Sequence, residues 1–208
     1  MKKTTETQES DRSAEWSSRP FGDETSAALL NAAREILMTS GLPGLSLRRI
    51  AEAAGCTTMQ VYSRFQGKDG LLQALFDEGF EVLAAAQRAV PLSMPADKRV
   101  QELCRAYLHI AAEHPQHYAL MLGGHSADFK PPKESQDRAM ATLDHLIEAV
   151  ANALPSGRDQ ARHASVVAHQ ILAFCHGWAT LSAIGITDKN NIDAIDRAVT
   201  ALLAGAKA

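Results

Sequence analysis

Between Ser46 and Lys68 the chain carries helix start and stop signals so closely spaced that only two short helices joined by a tight turn satisfy them. Ser46 can cap a first helix whose Leu47, Ile50, Ala51 and Ala54 lie on one buried side, and Gly55 is its stop. Thr57 then opens a second helix, with Gln60 three residues on in the Thr-x-x-Gln pattern of a capping box. Ala51 and Ala54 are small enough for the two helices to approach closely. Ile50, Val61 and Phe65 predict a small core shared with the helix before. That preceding helix is predicted over 25–40, with Leu29, Ala33, Ile36 and Leu37 on one face and Gly41 at the left-handed stop.

Helix signals recur along the rest of the chain and strand signals do not. Aromatic residues make up only 5%, and no segment alternates apolar with polar for long. A fourth helix starts near Gly67, Lys68 and Asp69, shows Leu71, Leu72, Leu75, Phe76, Phe80 and Leu83 at three-to-four spacing, and stops before Pro91 and Pro95. Helices follow over 96–113, 115–122, 133–153, 159–184 and 190–206, separated by proline and glycine breaks. The expected fold is all-α: an N-terminal three-helix helix-turn-helix domain and a C-terminal helical ligand-binding and dimerisation domain. Residues 1–22 should form a disordered arm, 23–68 the helix-turn-helix, 69–90 a connecting helix and 91–208 the second domain.

With 46% hydrophobic residues in 208, the chain can build its cores without disulfides or metals, so no cofactor is expected. Cys56, Cys104 and Cys175 are widely spaced and form no Cys-x-x-Cys pair, which suits reduced thiols. The polar start lacks the pattern of a leader, and no run is long enough for a bilayer span. No membrane partner and a cytoplasmic location are therefore expected.

The net charge is −3, which excludes a protein that is basic all over. Its distribution is uneven. Residues 46–68 carry Arg48, Arg49, Arg64 and Lys68 against Glu52 alone, so this stretch is +3 and the remainder −6. A small basic patch on a helix-turn-helix suits double-stranded DNA, with the second helix entering the major groove N-terminus first. Thr57, Thr58, Met59 and Gln60 then stand at the groove-facing end, while Ser46, Tyr62, Arg64 and Lys68 can meet the backbone. Gln60 can read adenine or fold back to cap its own helix. Met59 can meet a thymine methyl or only cover the sugar edge. Arg48 and Arg49 face where the backbone must pass, and at least one should touch it.

The run from Leu47 to Leu71 resembles the DNA-binding signature of the TetR family. Ile50-Ala51-x-x-Ala54-Gly55 leads to Tyr62-x-x-Phe65-x-x-Lys68 with the spacing usual in that family. Two positions depart from it: Met59 stands where a small residue is common, and Arg64 where histidine is common. The resemblance implies a homodimer whose C-terminal helices bind a small-molecule effector, a repressor released from a palindromic operator, and phosphate contacts from Tyr62 and Lys68. Glu113-His114-Pro115-x-x-Tyr118 and Phe174-Cys175-His176-Gly177-Trp178 are similar to a TetR subgroup named for a Trp-His-Gly signature.

Tyr107, Tyr118, Met121, Leu122, Phe174, His176 and Trp178 offer apolar and aromatic surface with two polar contacts, as an effector pocket needs; singly, each could equally be core. For dimerisation, Val166, Val167, Gln170, Ile171, Phe174 and Leu181 on one helix and Ile192, Ile195, Val199 and Leu202 on the next present more apolar surface than one bundle face requires. A metal sensor would use His109, His114 and His117, but Pro115 breaks the helix between them. A redox-responsive regulator, an enzyme on a helical scaffold and a DNA-packaging protein are the other classes. Cys175 and His176 are adjacent, so on a helix they point about 100° apart and cannot pair as nucleophile and base. The sequence thus predicts no catalytic role.

Overall fold

The computed structural model describes residues 23–122, 129–189 and 191–207. The arm expected over 1–22 lies outside them. Among the described residues there are helices and no strands: α1 Glu24–Gly44, α2 Leu47–Ala53, α3 Thr58–Phe65, α4 Lys68–Arg88, α5 Ala96–Glu113, α6 Pro115–Leu122, α7 Lys133–Ala153, α8 Gln160–Ala183 and α9 Ile192–Lys207. The chain divides into two compact units, one formed by residues 1–82 with 119–132 and the other by 83–118 with 133–208. The division falls inside α4 and inside α6.

In the first unit α1, α2 and α3 pack on one another over Leu29, Leu37, Ile50 and Val61, all buried. Asp23 caps α1 by accepting the Ser26 N–H at 2.8 Å. The regular part of α1 ends where Gly41 takes φ 64°, the left-handed region foreseen for it. α4 buries Leu71, Leu72, Leu75, Phe76 and Phe80 in this unit. Its first turn lies so close to the end of α3 that a Cβ at Gly70 would stand 1.7 Å from the Phe65 carbonyl oxygen, so only glycine fits there. Farther along, Arg34 of α1 grips Glu78 of α4 inside the core. Nη2 reaches Oε1 at 2.7 Å and Nε reaches Oε2 at 3.3 Å, a two-pronged ion pair with both side chains almost wholly buried.

The second unit is a bundle of α5, α7, α8 and α9 around Val100, Leu103, Ala149, Val150, Ala168 and Ile171. Polar ties fasten α9 along α5. Arg105 forms ion pairs with Asp196 and Glu102, Gln101 donates to the Thr200 hydroxyl at 3.0 Å, and Lys207 meets Asp97 at 2.8 Å. This packing corrects the face expected for a second copy. Val167 and Ile171 on α8, which packs on α5, α7 and α9, and Ile195 and Val199 on α9, which packs on α5 and α8, are buried in the bundle's own core. Val166, Gln170, Leu181 and Ile192 are the members of that set left exposed.

The buried ion pair makes a clear prediction. Glu78→Ala should lower the unfolding free energy by about 3–5 kcal/mol by stranding a buried guanidinium, while the double change Arg34→Met with Glu78→Leu recovers most of it, as read by urea unfolding. Equal losses in the single and double variants would contradict this account.

Candidate DNA-binding surface and helical-domain site

The turn between α2 and α3 is closed from both sides. At its near end Ala54 ends α2 and Gly55 takes φ 64°. The Cys56 N–H reaches back to the Ala51 carbonyl at 2.8 Å and the Gly55 N–H to the Glu52 carbonyl at 3.2 Å. This pair of bonds is the Schellman ending, and it satisfies two carbonyls that the helix leaves open. At the far end the capping box is complete: the Gln60 N–H donates to Thr57 Oγ1 at 3.3 Å and the Thr57 N–H to Gln60 Oε1 at 2.7 Å. The direction in which α3 leaves the turn is therefore set by local bonds.

α3 buries only Val61 fully, with Phe65 half-buried. Thr57, Thr58, Met59, Gln60, Tyr62 and Arg64 are exposed, and Met59 at 73% and Tyr62 at 54% are far more open than such residues would be in a core. The two uses weighed for Gln60 are separated by its bonds. Its Oε1 is committed to Thr57, accepting the hydroxyl at 3.1 Å as well as the N–H. Its amide N–H groups remain for an acceptor, whereas a bidentate adenine contact needs both ends of the amide.

The four cations of this stretch differ in their engagements. Arg49 folds back on α1, donating to the Gly44 carbonyl at 3.3 Å and the Ser40 hydroxyl at 3.0 Å. Arg64 pairs with Asp23 at 2.6 Å. The Ser26 N–H, and then Arg64, hold the Asp23 carboxyl below its ordinary range. The Arg64 pair is exposed, and exposed pairs are worth little, so a phosphate can compete for the guanidinium. Arg48 and Lys68 are exposed cations, Lys68 at the first position of α4. Ser46 caps α2 by accepting the Arg49 N–H at 3.3 Å. The Tyr62 ring lies over Gly67, where an added Cβ would stand 3.3 Å from it.

The residues expected to line an effector pocket fall into separate groups. Tyr107, Tyr118 and His176 form a hydrogen-bonded cluster in the second unit. The hydroxyls are 2.9 Å apart, and they lie 3.3 Å (Tyr107) and 2.6 Å (Tyr118) from His176 Nδ1. Burial, and then Tyr118, push the Tyr107 hydroxyl well above the usual tyrosine range, and burial raises that of Tyr118. Both hydroxyls therefore stay protonated and neutral. Phe174 and Trp178, one turn apart on α8, stack with ring centroids 5.8 Å apart. Met121 and Leu122 belong to the first unit, where Met121 fills the space beside Gly79.

The Cys175 thiol is buried, and the Cys104 proton is held by the neighbouring Cys175 and by burial, which disfavours a reactive thiolate there. Among the described residues no three His, Cys, Asp or Glu side chains gather to hold a metal ion, and no helix is long and apolar enough to cross a membrane. Sequence reasoning missed the Arg34–Glu78 pair, although both charges fall three or four residues from buried leucines, and it missed Lys189, discussed below.

The sequence model of the bacterial regulatory proteins of the tetR family matches residues 29–75, and that of the tetracyclin repressor-like C-terminal domain matches residues 100–205, about half of the chain. A protein of unknown function from Rhodococcus sp. RHA1 is 30% identical, with 92% of this chain and 100% of that one covered and a TM-score of 0.73. A bacterial regulatory protein of the tetR family, also from Rhodococcus RHA1, shares the fold at 18% identity and a TM-score of 0.64, with 88% and 97% covered. An uncharacterized HTH-type transcriptional regulator, TtgW of Pseudomonas putida, is 35% identical over 78 residues, 38% of this chain. The match spans about half (53%) of that relative's length. The chain belongs to the TetR family of DNA-binding transcriptional regulators.

If the capping box holds the turn, Thr57→Ala should lower the unfolding free energy by about 1 kcal/mol and weaken DNA binding with it. Urea unfolding that is unchanged from the parent would remove the capping box from this role.

Proposed function

We propose that this regulator is a ligand-responsive repressor that binds a palindromic operator as a twofold homodimer and leaves it when a small, mostly apolar molecule occupies the C-terminal helical domain. The observation that carries the reading is α3, a helix capped and aimed by its turn yet exposing a methionine, a tyrosine and the Gln60 amide N–H groups, with Lys68 following its far end. Thr57, Thr58, Met59 and Gln60 face the groove in this reading. Ser46, Arg48, Arg49, Tyr62, Arg64 and Lys68 hold the phosphates. Residues 23–68 act as the reading head, 69–90 as the connection and 91–208 as the effector and dimer domain. The exposed Val166, Leu181 and Ile192 support pairing of α8 and α9 with a second copy.

The Tyr107, Tyr118 and His176 cluster supports effector binding because it gathers three hydrogen-bonding groups in the second unit, with Phe174 and Trp178 on the same helix as His176. Control needs only a ligand that prefers one tilt of α4. A coupling of about 1–3 kcal/mol weakens operator binding roughly 5- to 150-fold.

Lys68 supplies the test. Lys68→Ala should weaken binding to all sequences about equally and reduce the slope of log K against log salt by about 1, read by fluorescence anisotropy at several salt concentrations. An unchanged affinity and slope would remove Lys68 from the interface.

A further inference from the structure

The last turns of α8, the second half of α5, the start of α6 and the segment before α9 line a half-open cavity of about 330 Å³ within the second unit. Leu108, Ala112, Pro115, Trp178, Ala179 and Ala183 form most of its wall. The alanines explain the space. Ala179 and Ala183 sit one turn apart on α8, and Ala111 and Ala112 line the same space from α5, so at these four positions only methyl groups reach the gap between Leu108 and Trp178. A close-packed bundle loses dispersion contacts along such a gap, and the volume falls in the range that small-molecule sites occupy.

Of the described residues on the wall, Lys189 is the charged one and Ser182 a neutral hydroxyl. Lys189 is a cation, no Asp or Glu lines the cavity, and no carboxylate of the described residues pairs with Lys189. The segment that carries it is pinned to α8 by Thr187, which donates to the Trp178 carbonyl at 3.3 Å. Having spent its proton there, Thr187 Oγ1 accepts from Ser182 at 2.7 Å. Near the same wall the Trp178 Nε1–H is buried without an acceptor. An apolar slot with an exposed ammonium on its wall and no lining carboxylate among the described residues matches a molecule with an apolar body and one anionic end.

We propose that the cavity between Trp178 and Lys189 binds a small amphipathic carboxylate, an aryl or alkyl acid whose body lies between α5 and α8 and whose carboxylate meets Lys189. The proposal rests on the reading that the helical domain takes an effector. It adds the ligand's chemical class and a charged residue to that reading.

The test titrates the full chain calorimetrically with 4-phenylbutyrate and decanoate, and with 4-phenylbutyramide as the neutral counterpart. Both acids should bind saturably, one per chain, with the amide about tenfold weaker. Lys189→Gln should lower the affinity for the acids about tenfold and leave the amide unchanged. Ala112→Leu, with its fold checked by thermal unfolding, should block acids and amide alike. Because Lys189 is exposed, the Gln variant folds whatever becomes of the Leu variant. Equal binding of acid and amide, acid binding insensitive to Lys189→Gln, or no saturable heat from either acid at millimolar concentration would each overturn the proposal. Anisotropy of a labelled operator fragment, read in parallel, separates the two readings. Acid binding without operator release upholds the site and contradicts its role as effector site, whereas release by other molecules without acid binding overturns the site alone.

Discussion

Arg34 and Glu78 meet inside the first unit with almost no access to water, and the arrangement of the reading head depends on that meeting. Taking two charges out of water is costly, and the cost is offset only when the geometry is good and the remaining donors are met. Here it is met by two parallel bonds, with the Asn31 side chain accepting a further guanidinium N–H at 2.7 Å. An apolar pair would tolerate sliding of α1 along α4, whereas a two-pronged bond does not. That register places Gly70 against Phe65, and with it Lys68 beside the end of α3. The orientation of the exposed helix thus descends from a bond 44 residues apart in sequence, and the local turn bonds then aim its first residues.

The second unit divides its polar chemistry differently. Its Arg105, Gln101 and Lys207 contacts fasten α9 to α5 and are used up in doing so. The Tyr107, Tyr118 and His176 cluster joins three polar groups to one another and is not tied to α9. The wall around Lys189 is the contrasting place, where no carboxylate of the described residues pairs with the ammonium and four alanines leave room. Satisfied groups hold shape, and unsatisfied ones beside open volume invite a ligand.

Much of this was legible in the sequence because it is local. The ends of α5, α6 and α7 coincide with proline, glycine and histidine breaks, and Thr57 with Gln60 announced the capping box that the structure contains. Leu29, Ala33, Ile36 and Leu37 are all buried, as their spacing required. What the sequence could not show depends on contacts distant along the chain. Val167 and Ile195 looked as available to a second copy as Val166 and Ile192, since periodicity marks an apolar face without saying which neighbour covers it. Trp178 likewise looked like a companion of Tyr107, yet it lines a cavity that the Tyr107 hydroxyl does not help to form. Lys189 had no motif at all, and only its place on that wall gives it meaning.

The central claim is that a fixed reading head on a twofold dimer recognises a specific operator. It is tested most directly by sequencing the genomic fragments that the purified protein selects at physiological salt. The account predicts an enriched palindrome whose half-sites lie about one helical turn, roughly 34 Å, or somewhat more apart. Fragments bound without common sequence, with affinity set by length and salt alone, would contradict it.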